Sequence, residues 1–220
     1  MKTTPFFSSH PPLRFRTLLF AALAMAGLAS ADPAALAEAR AALAKITEKQ
    51  RAAASVSVSY ESRSVGADGT PMPPVRGSLV TADSGRFRLT HAQGTVVSDG
   101  VTLWQHFPST QQVVIRHAGE AQGAGGALLR FLQARAVRAE RVARPAGLRV
   151  ALDPASVGES LDSLVLTLSP DGATVRSVET VDPAGNRVTY AIRSLRHDGR
   201  PGRGAFTFTV PAGAEVVDMR

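Results

Sequence analysis

From Ser55 almost to its C-terminus the chain alternates apolar and polar residues with a period of two, and this restricts its fold more than any other feature. Val56, Val58 and Tyr60 alternate with Ser55, Ser57 and Ser59, as in a half-buried strand with one wet face. The pattern returns at Val75 and Leu79, Phe87 and Leu89, Val101, Leu103 and Phe107, and Val113 and Ile115. It continues at Leu148, Val150 and Leu152, Leu164, Leu166 and Leu168, Val188, Tyr190 and Ile192, and Phe206 and Phe208. Turn sequences separate the runs: Asp83-Ser84-Gly85, Asp99-Gly100, Pro108-Ser109-Thr110, Pro170-Asp171-Gly172, Asp182-Pro183-Ala184-Gly185 and Asp198-Gly199. Short connections make neighbouring strands antiparallel, and roughly eleven strands in one sheet should curl rather than stay flat.

The first part of the chain is different. Lys2, Arg14 and Arg16 precede an apolar stretch from Thr17 to Leu28, and Ala29-Ser30-Ala31 supplies small residues for cleavage, so residues 1–31 read as a signal peptide with cleavage after Ala31. Residues 32–220 then form one exported domain. Asp32-Pro33 suits a helix start, and Leu36, Ala39, Leu43 and Ile46 follow at helical spacing.

Cysteine is absent, which excludes disulfides and the acylated cysteine that would anchor a bacterial lipoprotein. Three units of the formal net charge of +7 belong to the leader, so the remaining chain is only mildly basic. Arg130, Arg135, Arg138, Arg141, Arg144 and Arg149 cluster with a single aromatic, Phe131, among them. A nucleic-acid groove would interleave stacking platforms, so this cluster reads as a solvated face and no nucleic-acid partner is expected.

Nothing is grouped for chemistry. His91, His106, His117 and His197 have no close ligand spacing, and neither a Gly-x-Ser-x-Gly elbow nor a cysteine nucleophile exists. Asp99, Asp171, Asp182 and Asp198 fall at turns, where aspartate serves the backbone. The expectation is a protein that is not an enzyme and has no metal or other cofactor. One segment departs from alternation: after Gly119, Gly123, Gly125 and Gly126, residues Leu128, Phe131, Leu132 and Arg135 follow helical spacing, predicting a short amphipathic helix over about Ala127–Val137 with a hinged entry.

The wording of two segments is more specific. Asp99-Gly100-Val101-Thr102-Leu103-Trp104, then Pro108, then Gln112-Val113 closely resembles the central hairpin of the periplasmic outer-membrane lipoprotein carriers, the LolA family. Phe206-Thr207-Phe208-Thr209-Val210-Pro211-Ala212-Gly213 with the following Ala214 to Asp218 resembles that family's last strand and tail.

The resemblance implies an α+β fold: a single curled antiparallel sheet forming an unclosed β-barrel, covered by an N-terminal helix and a short lid helix. It implies a monomeric periplasmic carrier of acylated lipoproteins, loaded by an inner-membrane releasing transporter and unloaded at an outer-membrane receptor or membrane. Tyr60, Leu79, Phe87, Leu89, Leu103, Phe107, Val150, Leu166 and Leu168 would line the acyl-chain cavity, and by position Leu128, Leu129, Phe131 and Leu132 would form the lid. Trp104 shares strand parity with Thr102 and His106, which leaves its side of the sheet open. Where the family has a latching basic residue followed by proline, this chain has Ala82-Asp83-Ser84. The alternatives are a lipid- or lipoprotein-sensing regulatory domain of related fold, or a carrier of another amphiphile such as a glycolipid. Sensors of that kind carry a further C-terminal domain, so an end directly after the tail motif points to the carrier.

Overall fold

The computed structural model describes residues 32–118, 131, 134–157 and 161–220. The expected signal peptide and three of the expected lid residues, Leu128, Leu129 and Leu132, lie outside them. Helix α1 runs Pro33–Ala52. Asp32 caps it by accepting from the Ala34 N–H at 2.9 Å, Pro33 occupies the first turn, and Lys49 and Arg51 sit in the last turn where the helix dipole favours cations. Its buried stripe is Ala35, Ala39, Leu43 and Ile46.

Among the described residues twelve strands follow: β1 Ser55–Val65, β2 Val75–Ala82, β3 Arg86–His91, β4 Gly94–Asp99, β5 Thr102–Phe107, β6 Gln112–His117, β7 Arg135–Ala143, β8 Ala146–Asp153, β9 Ser163–Leu168, β10 Val175–Val181, β11 Arg187–Asp198 and β12 Glu215–Asp218. They form one sheet in the order β12-β6-β5-β4-β3-β2-β1-β11-β10-β9-β8-β7. Among the described residues every pairing is antiparallel except β12 with β6, and β7 and β12 are the edges of an unclosed barrel.

Curling follows from the core. Leu89 on β3 and Leu152 on β8 belong to one buried cluster with α1, although six strand spacings separate those strands in the sheet order. A flat sheet would put them about 29 Å apart, far wider than a helix, so the sheet must wrap around α1. The closed part of this core holds Leu148, Leu164, Leu166 and Leu168, all fully buried, each stabilising the fold by roughly 1.5–3 kcal/mol.

Three expectations are corrected. The helix expected to run to Val137 cannot do so, because β7 begins at Arg135. A bulge between Ala136 and Arg138 puts the inward residues Ala136 and Ala139 three apart, a spacing that imitates a helix in sequence. Phe206 and Phe208 alternate like a strand, but their segment pairs with no strand, and the last strand is instead β12. Val101 is not a strand residue; it projects from the Asp99-Gly100 turn into solvent.

Candidate functional site

Residues directly opposite in a ladder face the same side, so the register defines two faces. Val58, Leu79, Leu89, Val96, Gln105 and Val114 form one cross-strand row on the concave face, the side that meets α1. A parallel row carries His197, Val56, Thr81, Phe87, Ser98, Leu103 and Arg116. At the far end of the same face lie Ile192, Tyr60, Gly77 and His91.

The expected cavity residues therefore share a face but differ in burial. Val150, Leu166 and Leu168 are fully buried in the closed core, with Leu79 and Leu89 nearly so. Leu103 is also buried. Phe87 is half-buried, and Phe107 at the end of β5 is 41 % exposed. Of the expected lid, the described residue Phe131 is only 5 % exposed and belongs to the core cluster. Between α1 and the start of β7 lies a cavity of about 450 Å³, with Leu43, Ala134 and Ala136 as apolar lining and Arg40, Glu48, Arg51 and Arg135 as charged lining.

Tyr60 closes one end of the apolar face. Its ring lies over Gly77, where an added Cβ would come within 2.4 Å of the ring carbon Cζ, and it meets Tyr190 edge-on at 5.6 Å. Gly77 leaves space for this ring, and no left-handed backbone conformation calls for glycine here. Burial, with a smaller contribution from Tyr190, pushes the Tyr60 phenol up to about 12, and burial raises Tyr190 as well.

Sequence reasoning missed Val96, Gln105, Val114 and Arg116, all half-buried on the concave face. The adjacent pair Val96-Val97 hid the parity of β4, because the convex face is apolar there too. That second layer belongs to the C-terminal segment. Phe208 stacks on Trp104 with ring centroids 6.2 Å apart, which places Trp104 on the convex side, and Arg86 lies 5.5 Å over the Phe206 ring. Arg88 donates from Nε to the Ala205 carbonyl at 2.7 Å and from a terminal nitrogen to the Thr207 carbonyl at 2.6 Å. These two arginines hold residues 205–208, a C-terminal strap, on the convex side. Ala82-Asp83-Ser84 forms the turn between β2 and β3, where Asp83 pairs with Arg86.

Elsewhere on the convex face, Glu61 is held by Arg63 and Arg193, each at 3.1 Å, with Arg76 at 3.6 Å; the hydrogen bonds from Arg63 and Arg193 keep its carboxyl below the usual range. Asp99 accepts from the Val101 and Thr102 N–H groups, and Asp182 from Asn186, so these turn aspartates serve the backbone. Among the described residues, no three His, Cys, Asp or Glu side chains are grouped to hold a metal ion. Among the described residues, the site offers a largely apolar concave surface, packed against α1 at one side, with half-buried Phe87, Val96 and Val114 and exposed Phe107 along β3 to β6.

Residues 51–209 match the family described as outer membrane lipoprotein carrier protein LolA. An outer-membrane lipoprotein carrier protein of Methylibium petroleiphilum is 33 % identical over 68 % of this chain and 76 % of its own length. Another, from Edwardsiella ictaluri, is 27 % identical over 70 % of this chain and 76 % of its own. Among solved structures, a conserved protein of Thermus thermophilus superposes with a TM-score of 0.52 at 10 % identity, covering 82 % of this chain and 98 % of that one, a likeness of fold.

Proposed function

The chain belongs to the LolA family of outer-membrane lipoprotein carrier proteins, and on that premise we propose that it is a periplasmic carrier, not an enzyme, that shields the acyl chains of lipoproteins on their way from the inner to the outer membrane. The observation that carries this reading is the asymmetry of the sheet. The convex face carries the strap, which meets Arg86 and Arg88 on β3 and Trp104 and His106 on β5, and Val97 and Val113 are fully buried on that face. On the concave face Phe87, Val96 and Val114 are half-buried and Phe107 is exposed, so apolar surface remains for a guest.

The energetics favour such a guest. Each buried methylene contributes roughly 0.8 kcal/mol, and an acylated lipoprotein has dozens to hide from water. An apolar sheet face takes them without leaving polar groups unpaired, since its backbone hydrogen bonds are made within the ladder. Val150, Leu166 and Leu168 form the fixed floor in this reading, while Leu103, Phe87, Val96, Phe107 and Val114 meet the chains. Leu128, Leu129, Phe131 and Leu132 act as the lid, loading comes from an inner-membrane releasing transporter, and delivery is to an outer-membrane receptor or membrane. Residues 1–31 direct export and are removed.

The test is release of a radiolabelled lipoprotein from inner-membrane vesicles into the soluble fraction by the purified protein. Release that depends on Phe107 and Phe131 supports the reading. A protein that melts normally yet releases nothing contradicts it.

A further inference from the structure

Arg116 is out of keeping with its surroundings. The register sets it opposite Leu103 on the concave face, in line with Phe87, and it is half-buried there. Its Nε is buried without a hydrogen-bond partner, and no described residue forms an ion pair with it. The acid nearest in the ladder, Asp218 on β12, is opposite Ile115 on the other face and is engaged by Arg220 at 2.5 Å. A guanidinium set opposite the buried Leu103 with an unfilled donor is costly, and its planar fork fits a carboxylate or a phosphate.

We infer that Arg116 is a head-group site: the cargo surface of this carrier accepts lipids whose acyl chains end in an anionic group, a carboxylate or a phosphate, which Arg116 receives while the chains lie along Leu103, Phe87 and Val96. This rests on the carrier reading and extends it to anionic lipids. The neighbours agree with the assignment. Half-buried Gln105 shares the face with Arg116, so the polar end of a ligand would meet a second hydrogen-bonding side chain on β5 while its chains run toward the leucine-rich core. A neutral ligand leaves the guanidinium unfilled; an anionic one fills it.

The experiment displaces a neutral fluorescent probe, N-phenylnaphthylamine, from delipidated protein with matched pairs: palmitate against hexadecanol, and dioleoyl phosphatidic acid against dioleoylglycerol. A charge-assisted pair predicts that the anionic member displaces the probe at about tenfold lower concentration. In Arg116→Leu that ratio should collapse towards one, and Arg116→Lys should keep a preference; Arg116→Gln replaces the leucine variant if that one melts early. Preference in the first pair alone assigns a fatty-acid carboxylate, and in the second alone a lipid phosphate. If both members of each pair displace equally in the unaltered protein, or the ratio survives in Arg116→Leu and Arg116→Gln, the head-group site is wrong and the carrier stands. If neither member displaces the probe, the apolar cargo surface itself is wrong and the inference falls with it.

Discussion

The ring of Trp104 lies on that of Phe208 with the two planes 21° from parallel, so the single tryptophan of the chain reports on the C-terminal strap. Phe208→Ala should shift the emission of Trp104 to the red and cost about 2 kcal/mol in denaturant melting, the size expected for losing a half-buried aromatic pair. Arg88→Leu should give the same spectral shift, because it removes both donors that hold the strap carbonyls. Unchanged emission in both variants would mean the strap is not seated on the convex face.

The contact between Tyr60 and Gly77 makes a second prediction. Gly77→Ala should destabilise by about 1–3 kcal/mol through overpacking, and Tyr60→Leu should relieve part of that loss in the double variant. A coupling of roughly 1 kcal/mol in the double-mutant cycle is expected. Strict additivity would show that the ring does not occupy that space.

Core and cargo surface should separate by mutation. Leu166→Ala, in the fully buried floor, should cost about 2–5 kcal/mol of stability. Phe107→Ala should stay within about 0.5 kcal/mol of the parent, as an exposed position does, yet reduce probe binding and lipoprotein release. Equal stability losses at both positions would place Phe107 in the core.

The tyrosines set an alkaline limit. Burial raises Tyr60 to about 12 from an ordinary value near 10, so the folded state keeps its proton where the unfolded state loses it. Stability from this source is complete below pH 10 and is lost as the pH rises from 10 through about 12. Phenolate absorbance should therefore appear together with unfolding in alkaline titration, since both tyrosines of the chain are shifted the same way. Ionisation well before unfolding would contradict burial of the rings.

Much of this architecture is legible in the sequence, because alternation records burial on one face. Asp32-Pro33 marks the start of α1, and the parity of Leu79, Leu89, Leu103 and Phe107 puts them on one side of the sheet. Alternation loses its meaning where both faces are covered. Val97 and Trp104 under the strap are as apolar as Val96 and Leu103 opposite, so neither parity stands out. Phe206 and Phe208 alternate like a strand because the strap is extended, but Arg88 takes the place of a neighbouring strand in bonding its carbonyls. Arg116 could be named only once the register was known, since its position beside Ile115 and His117 gives no sign of which face it takes.

The central claim is that acyl chains lie on the concave face, and site-specific photo-crosslinking tests it most directly. A photoreactive amino acid is placed at Phe107 or Val114 on the concave side, and at Ser57 on the convex side as a control; the protein is then loaded from inner-membrane vesicles and irradiated. Lipoprotein should be captured from Phe107 and Val114 and not from Ser57. Capture from Ser57 alone, or from none of the three in protein that has demonstrably released lipoprotein, would contradict it.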